Sequence, residues 1–222
     1  METDLIKKLL NFNTSTLSDA LDSFGVNGGL QGFVARSTNH ELCGRAFTVE
    51  YGMPNDEEKN IAKAADFIDD VTSNQVVILA NHGREDCTIW GGILTTIAKI
   101  KNLQGTVIDG ACRDIEEIQE KRYPLYSKAV YMKTGKGRAK KINHQVPVRI
   151  GDTEIFPEDY IRGDKNGILV IPQHLVKEVI GRAEAITQTE KEIINAVKQG
   201  MRLDEARKIY KYHRPWEAVY DK

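Results

Sequence analysis

Apolar side chains recur near the start of the chain at the three- and four-residue spacing of amphipathic helices. An apolar face over residues 5–10 predicts a first helix. A second helix is predicted over 14–24, because hydroxyl side chains at its start are good caps and Gly25 follows as a stop signal. The chain therefore opens with two short helices that each have one face to bury.

Short apolar runs alternate with helical segments over the middle of the chain. The predicted elements, in order, are a strand over 47–51, a helix over 57–70, a strand over 75–80, a helix over 93–102 and a strand at 107–108. Asp109 and Gly110 are a typical turn pair, so we expect the last of these strands to stop there. Alternation of this kind is typical of parallel strands with helical crossovers.

The second half of the chain is first rich in strands and then helical. Strands are predicted over 129–132, 146–150, 154–156 and 168–171, and a helical pattern follows over 176–212 with a break near Gly200. No repeat and no Pro- or Ser-rich linker divides the sequence. We expect one α/β domain over residues 1–222 with a mixed sheet, in which 176–222 forms a helical carboxy-terminal extension.

Composition narrows the range of functions mainly by exclusion. The 31 Lys and Arg residues against 32 Asp and Glu give a net charge of -1, so no global field favours nucleic acid or an acidic membrane as a partner. No export signal and no long uncharged apolar run is present, and we expect a cytoplasmic protein. Cys43, Cys87 and Cys112 lack the spacing of metal ligands and are predicted to be reduced core thiols.

The region around residues 91–114 carries the candidate chemistry. Gly91 and Gly92 open the predicted helix without bulky side chains, so its first amides are accessible to an anion. Arg113 and Asp114 follow the predicted strand, at the edge of the sheet where α/β proteins bind ligands. A guanidinium matches a carboxylate, and an aspartate is a ligand for a hard divalent cation. The alternative is a glycine-opened helix beside a surface ion pair.

Several blocks of the sequence resemble the RraA-like family, which includes 4-hydroxy-4-methyl-2-oxoglutarate aldolases and regulators of ribonuclease E activity. The central block is WGGILTTIAKIKNLQGTVIDGACRDIEEI, over residues 90–118. Flanking blocks in the same order are TLSDAL at 16–21, CGRAFTV at 43–49, IFPED at 155–159 and GDKNGILVIP at 163–172. The resemblance covers most of residues 9–185.

The resemblance implies a fold and an assembly. Proteins of this family have an α-β-β-α sandwich of the swivelling β/β/α type. They form homotrimers, or hexamers built from two trimers, with the active sites in clefts between subunits. We therefore expect the same fold and assembly for this chain.

The resemblance also implies roles for individual residues. Backbone amides of Gly91, Ile93 and Leu94, in the loop and helix start that include Gly92, are expected to bind the substrate. Arg113 matches the substrate-binding arginine, and Asp114 matches the carboxylate that holds a divalent cation, Mg²⁺ or Mn²⁺, largely through water. Asp109 is expected to orient Arg113 or a metal-bound water, and its alternative role is to cap a turn. Glu190 or Glu192 of a neighbouring subunit is expected to approach the metal, and the alternative is that both lie on a solvated helix face.

The chain departs from the aldolases of the family at Gly92, where they commonly carry Asp or Glu. A missing acid weakens proton transfer more than substrate binding, so decarboxylation of oxaloacetate is the safer expectation than retro-aldol cleavage. The expected function is a class II, metal-dependent pyruvate aldolase or oxaloacetate decarboxylase-like lyase acting on a small 2-oxo acid. One alternative is a non-catalytic binding protein of the ribonuclease E regulator type. The other is a metal-dependent enzyme that acts on a different oxo acid or hydroxy acid.

Two further residues lie near this region in the sequence. His82 follows the strand predicted over 75–80, and Lys136 lies between two glycines of a later loop. Either side chain has the chemistry to act on a substrate, the histidine as a proton carrier and the lysine as an anion contact. We expect both to be loop residues without a catalytic role, because the sequence identifies no partner for them.

Overall fold

The computed structural model of the protein describes residues 2–55 and 65–216. Its α-helices are α1 (Glu2–Leu9), α2 (Thr14–Asp22), α3 (Gly92–Ile100), α4 (Ile115–Glu120), α5 (Val176–Lys198) and α6 (Leu203–Ile209). Its strands are β1 (Gly29–Leu30), β2 (Val34–Ala35), β3 (Leu42–Gly52), β4 (Gln75–Thr88), β5 (Gly105–Cys112), β6 (Leu125–Val130), β7 (Lys140–His144), β8 (Val148–Ile150), β9 (Thr153–Ile155), β10 (Tyr160–Asp164) and β11 (Gly167–Ile171).

Nine of these strands form one mixed sheet with the order β1-β11-β10-β3-β4-β5-β6-β2, and β7 pairs with β3 beside this path. The strands β3, β4, β5 and β6 are parallel to one another, and the other pairings in the sheet are antiparallel. Helices α3 and α4 are the crossovers from β4 to β5 and from β5 to β6. The carboxyl ends of β4 and β5 therefore meet at one edge of the sheet.

Alternate residues of β4 show how the layers pack. Val77 and Leu79 belong to a core cluster with Leu94 of α3 and Ile118 of α4. The residues between them face the other way, into a cluster that includes the hairpin β8–β9. This period-2 separation of two cores confirms the predicted α/β class, with helices on one side of the large sheet and a small sheet on the other.

The long helix α5 covers the core of its own chain. Val179, Ile180 and Ala183 are buried in a third cluster with Leu17 and Leu21 of α2. The predicted helical break near Gly200 is present, since α5 ends at Lys198 and α6 begins at Leu203. None of the helices in the described ranges combines the length and apolarity that crossing a membrane requires.

The strand predicted at 107–108 is longer than its apolar run, and the expected stop at Asp109 and Gly110 is wrong. Both residues lie inside β5, which continues to Cys112. Asp109 is tolerated because its carboxylate is 2.6 Å from Nζ of Lys128 and accepts a hydrogen bond from the Gly83 amide at 3.0 Å. Gly110 is needed because a β-carbon there would lie 2.7 Å from the Arg84 carbonyl oxygen.

Other strands also differ from the prediction. β4 continues beyond Ala80 to Thr88, and its pairing with β5 shifts register between Ala80 and Arg84. β7 and β10 were not predicted, because their charged residues mask the strand pattern. Of the helix predicted over 57–70, residues 57–64 lie outside the described ranges, and the structure shows a 3-10 helix at Asp66–Asp70.

Candidate active site

The start of α3 and the residues after β5 form one local structure. Asp114 lies directly before α4 in the left-handed conformation, with φ 60° and ψ 46°. Its Oδ2 atom accepts a hydrogen bond from the Gly92 amide at 2.7 Å. Asp114 therefore stabilises the N-terminus of α3, where the helix dipole and unpaired amides favour negative charge.

Arg113 is held next to this contact. Its amide donates to the Trp90 carbonyl oxygen at 3.0 Å, and its Nε lies 3.6 Å from Oδ2 of Asp114. The close packing explains Gly91, because a β-carbon at that position would lie 2.6 Å from Oδ2 of Asp114. The Arg113 side chain is 41% exposed, so its guanidinium remains accessible to a ligand.

Glu117 is a functional candidate that the sequence reasoning missed. A β-carbon on Gly92 would overlap the Glu117 carboxylate. The Glu117 carboxylate therefore fills the space that a side chain at position 92 would occupy. Oε1 of Glu117 accepts from the Thr96 hydroxyl at 3.0 Å and lies 3.1 Å from Nζ of Lys121. The spacing of Asp114 and Glu117, three residues apart at the start of a helix, was the available signal for it.

These groups line a cavity of about 580 Å³ at the carboxyl ends of β4 and β5. Its lining residues are Ala65, Thr88, Ile89, Trp90, Gly91, Gly92, Ile93, Leu94, Arg113, Asp114, Glu117, Thr134, Gly135 and Lys136. The volume is within the range of small-molecule sites. The structure thus brings together all the residues that the sequence placed at the centre of the site.

The helix-start residues contribute differently. The Ile93 side chain is 79% exposed, whereas Leu94 is buried in the core next to α3. The first amides of a helix have no acceptor within the helix. The Gly92 amide donates to Asp114, and the other amides of the helix start, those of Gly91, Ile93 and Leu94, have no acceptor within the helix.

Asp109 does not have the contacts expected of a residue that orients Arg113. Its carboxylate contacts Lys128 and the Gly83 amide instead, and it is not among the residues that line the cavity. Nor is Asp109 a turn cap, because it lies within β5. Its role in the described structure is to pair with Lys128 in the sheet.

The outlying candidates also lie away from the cavity within this chain. Glu190 lines a separate cavity with Asp19 and Asp22, and Glu192 accepts a hydrogen bond from Gln188 at 2.8 Å. Their approach to the site of a neighbouring subunit stays a prediction. A ring nitrogen of His82 lies 3.1 Å from the Tyr51 carbonyl oxygen, outside the cavity lining.

Buried thiols and phenols near the cavity are not poised to ionise. Burial raises the pKa of Cys112, which directly precedes Arg113, and also that of Tyr123, whose ring stacks on Trp90. Away from the cavity, in the core cluster that includes Leu17 and Val179, burial raises the pKa of Cys43 to about 12. All three cysteines are free and buried, as predicted, so a thiolate nucleophile is not part of this site.

The carboxylates at the cavity suit a divalent cation that keeps most of its waters better than a cation that is enclosed by protein ligands. Across residues 2–55 and 65–216, no group of three or more His, Cys, Asp or Glu side chains is arranged to hold a metal ion. Asp114 and Glu117 supply two carboxylates at one cavity. Mg²⁺ typically keeps several waters and takes one or two carboxylates, so these two residues fit such an ion.

The layered fold and the site together define an α/β protein with a small-ligand cavity at the carboxyl edge of its sheet. The family model described as "RraA-like: Aldolase/RraA" matches residues 14–170. That match covers most of the sequence, and the chain belongs to the RraA-like family.

Individual relatives agree with this family. Protein DlpA of Legionella pneumophila is 40% identical over 221 residues, which are 99% of this chain and 36% of the relative, so the chain spans about a third of that protein. The 4-hydroxy-4-methyl-2-oxoglutarate aldolase of Thermus thermophilus is 30% identical over 105 residues, 46% of this chain and 61% of the relative.

Two solved structures share the fold. A protein of Pseudomonas syringae pv. tomato matches with a TM-score of 0.82 at 38% identity, over 92% of this chain and 97% of that one. Streptomyces coelicolor RraAS2, described as an unusual member of the RNase ES inhibitor RraA protein family, matches with a TM-score of 0.78 at 21% identity, over 86% and 96%. The second likeness concerns the fold alone.

Proposed function

We propose that the protein is a divalent-metal-dependent lyase that cleaves 2-oxo acids and releases pyruvate. The observation that carries the proposal is the convergence of Arg113, Asp114, Glu117 and the N-terminus of α3 on one cavity. A guanidinium and helix amides bind a carboxylate, and paired carboxylates hold a hard cation. This combination suits a substrate that is anionic and also chelating.

Substrate binding is assigned to Arg113 and the amides of Gly91, Ile93 and Leu94. The guanidinium donates two parallel hydrogen bonds to the substrate's C1 carboxylate, and the amides add charge-assisted bonds at the same end. These contacts orient the oxo group towards Asp114 and Glu117. They also fix the position of the bond between C3 and C4.

Asp114 and Glu117 are the residues that would hold Mg²⁺ or Mn²⁺. When bound, such a cation supplies Lewis-acid stabilisation of the substrate's oxo oxygen as negative charge develops there. The hydrogen bond from the Gly92 amide holds the Asp114 carboxylate in position. Contacts with Thr96 and Lys121 hold the Glu117 carboxylate in the same way.

Cleavage of the C3–C4 bond leaves its electron pair on the pyruvate half. In decarboxylation the C4 carboxylate departs as carbon dioxide, and C3 then takes up a proton. In retro-aldol cleavage the C4 hydroxyl must also lose a proton as its carbon becomes a carbonyl. We assign the acceptance of that proton, through water, to Glu117, whose carboxylate lies where a side chain at Gly92 would be. In this role Glu117 would supply the acid that the aldolases of the family carry at the position of Gly92.

The proposal includes the assembly of the protein as a homotrimer or a hexamer. Exposed apolar side chains outside the cavity are compatible with such contacts, and they include Val130, Met132, Ile142 and Ile194. Light scattering of the purified protein measures this state directly.

Oxaloacetate decarboxylation tests the proposed activity. Pyruvate release is followed with purified protein and Mg²⁺ or Mn²⁺, and again after a chelator is added. Controls contain metal without protein, and metal with an Arg113→Ala protein prepared in the same way. We expect metal-dependent release well above both controls. A rate equal to metal alone, with 4-hydroxy-4-methyl-2-oxoglutarate also uncleaved, would contradict the lyase and favour the non-catalytic binding protein.

A further inference from the structure

The hydroxyl group of Thr88 joins three segments at the carboxyl edge of the sheet. Thr88 is the last residue of β4, is 5% exposed and lines the cavity. Its Oγ1 donates to the Trp90 carbonyl oxygen at 2.8 Å and is also within hydrogen-bond distance, 3.2 Å, of the Ala111 carbonyl oxygen. The same Oγ1 accepts a hydrogen bond from the Trp90 amide at 3.3 Å. The hydroxyl thus connects the end of β4 with β5 and with the loop that precedes α3.

The backbone of Thr88 is held on both sides. Thr88 pairs with Ala111 in the parallel ladder of β4 and β5, and its amide donates to the Lys133 carbonyl oxygen at 2.8 Å. Gly135 packs so closely that a β-carbon there would overlap the Thr88 carbonyl oxygen. Because threonine is branched at its β-carbon, its side chain also has little rotational freedom. The position of the hydroxyl is therefore well defined.

The Trp90 carbonyl oxygen links this hydroxyl to Arg113. It accepts the hydrogen bond from Thr88 and a second one from the Arg113 amide at 3.0 Å. Two hydrogen bonds use both lone pairs of a carbonyl oxygen. The Trp90 indole is 1% exposed and donates to the Thr95 hydroxyl at 2.9 Å, so the side chain is held as well. The Trp90 carbonyl therefore cannot turn without losing its contact with the Arg113 backbone.

The peptide unit of this carbonyl also contains the Gly91 amide. Because a trans peptide unit is planar, the Gly91 N–H group points away from the Trp90 carbonyl oxygen. Within residues 2–55 and 65–216, the Gly91 amide donates to no backbone carbonyl oxygen. One peptide unit thus contacts Arg113 through its oxygen and directs the Gly91 amide through its nitrogen.

We propose that Thr88 is a positioning residue that aligns the Gly91 amide with the Arg113 guanidinium, so that both bind the same substrate carboxylate. The inference rests on the proposed lyase function and concerns how its substrate-binding groups are held. Thr88 acts through the peptide unit between Trp90 and Gly91 rather than by a bond to the substrate. Alignment of this kind matters because a misplacement of about 1 Å can cost about 10²-fold in rate.

Three substitutions separate the hydroxyl from the rest of the core. Thr88→Val keeps the branched shape and removes the hydroxyl, whereas Thr88→Ser keeps the hydroxyl. Thr106→Val is the matched control, because Thr106 is buried on the neighbouring strand β5 and its hydroxyl lies 2.9 Å from Oη of Tyr123. The Tyr123 ring stacks on Trp90. The control therefore removes a buried hydroxyl from the same core without changing the contacts of the peptide before Gly91.

Titration calorimetry with pyruvate and Mg²⁺ measures binding without turnover. We expect Thr88→Val to bind pyruvate about 10- to 100-fold more weakly than the wild type, because the two carboxylate-binding groups lose their alignment. Thr88→Ser and Thr106→Val should bind as the wild type does. In oxaloacetate decarboxylation, Thr88→Val should raise KM more than it lowers kcat. Urea unfolding should show similar losses of stability in the two valine variants, so that a difference in affinity reports on alignment.

A double variant tests whether Thr88 acts through Arg113. In an Arg113→Lys protein the planar fork that the peptide unit aligns is already absent. Adding Thr88→Val to this protein should therefore raise the KM for oxaloacetate by a further factor of only about two or less. A further increase equal to that in the wild-type background would show that Thr88 acts independently of Arg113 and would overturn the proposal.

The results separate failure of this inference from failure of the proposed function. Unchanged pyruvate binding in Thr88→Val, or an equal loss in Thr88→Ser or Thr106→Val, overturns the role of Thr88 and leaves the lyase standing. If Thr88→Val does not fold, Thr88→Cys replaces it, since a thiol is a weaker donor, and it should bind pyruvate more weakly than Thr88→Ser. A wild type that neither binds pyruvate nor releases it from oxaloacetate overturns the proposed function and the role of Thr88 with it.

Discussion

The carboxylate of Glu117 occupies the space in which Gly92 would carry a side chain. The two residues are 25 positions apart in the sequence and meet because α4 packs beside α3. An acid is therefore present at this point of the cavity, although it comes from a different helix than in the aldolases that the sequence resembles. This relationship changes what substitutions at both positions are expected to do.

Replacing Glu117 with Gln should lower the rate of retro-aldol cleavage by about 10²-fold or more, since an amide cannot take up the proton. Stability should change by about 0.5 kcal/mol or less, because the Lys121 ion pair is partly exposed and the Thr96 bond can persist. Steady-state kinetics and urea unfolding measure the two effects. Glu116→Gln, an exposed site on the same helix, is the control. Equal losses of the retro-aldol rate in Glu117→Gln and Glu116→Gln would show that Glu117 does not act at the site.

Gly92→Asp should impair the wild-type protein rather than improve it. Gly92 is not among the glycines with positive φ, so its backbone conformation is open to other residues. A β-carbon there would nevertheless overlap the Glu117 carboxylate, and the new carboxylate would add a second negative charge beside it. We expect a loss of about 1–3 kcal/mol in stability from overpacking. In Gly92→Asp with Glu117→Ala the stability should return and the aldolase rate should exceed that of Glu117→Ala alone. A fully stable single variant with both carboxylates in place would contradict this arrangement.

Arg113→Lys should weaken substrate binding by about 1–3 kcal/mol, because an ammonium group cannot form the two parallel bonds of a guanidinium. The effect should appear in KM more than in kcat. Steady-state kinetics with oxaloacetate measures it, with Arg149→Lys on the exposed side of β8 as the control. Unchanged kinetics would show that Arg113 does not anchor the carboxylate.

Substitutions of Asp114 should separate its structural role from its role at the cation. Asp114 is left-handed, a conformation that Gly and Asn tolerate and that costs other residues about 1–3 kcal/mol. Asp114→Asn should therefore stay folded while the Mg²⁺ concentration needed for activity rises. Asp114→Val should be the least stable variant and Asp114→Gly should be more stable than it. Equal thermal stability of Asp114→Val and Asp114→Gly would contradict the backbone strain at this position.

Protonation of Asp164 should make the protein less stable in acid. Burial by itself acts to raise the pKa of Asp164, but hydrogen bonds from Thr14 and Asn166 outweigh it and hold the pKa below the ordinary 3.8. The ionised form is thus favoured in the folded state, and its contribution is present above about pH 3.8 and lost as the pH falls through the folded pKa.

Asp164→Asn should cost about 1.5–3 kcal/mol near neutral pH and flatten the dependence of stability on pH in acid. Urea unfolding between about pH 2 and 7 measures both effects. Asp152→Asn, at an exposed position in the turn between β8 and β9, is the matched control. An identical acid profile for the wild type and Asp164→Asn would contradict the assignment.

Elements with a clear period were predictable from the sequence, and elements that depend on partners were not. α5 and the parallel strand β4 have regular apolar patterns, so their existence followed from local burial. β7, with the sequence KKINH, has no such pattern and becomes a strand through its pairing with β3. The low intrinsic strand propensity of β7 is overridden by its hydrogen bonds to β3.

The sequence by itself determined the α/β class and the family, and it indicated the residues at the centre of the candidate site. Arg113 and Asp114 are adjacent in the chain and follow a strand, so their shared location needs no long-range information.

The tertiary structure decided the remaining contacts. It placed Glu117 against Gly92, paired Asp109 with Lys128 and joined the Thr88 amide to the Lys133 carbonyl oxygen. Each of these contacts joins residues that are 19 or more positions apart. Such contacts depend on how helices and strands pack, and neither residue of a pair carries a local signal of its partner.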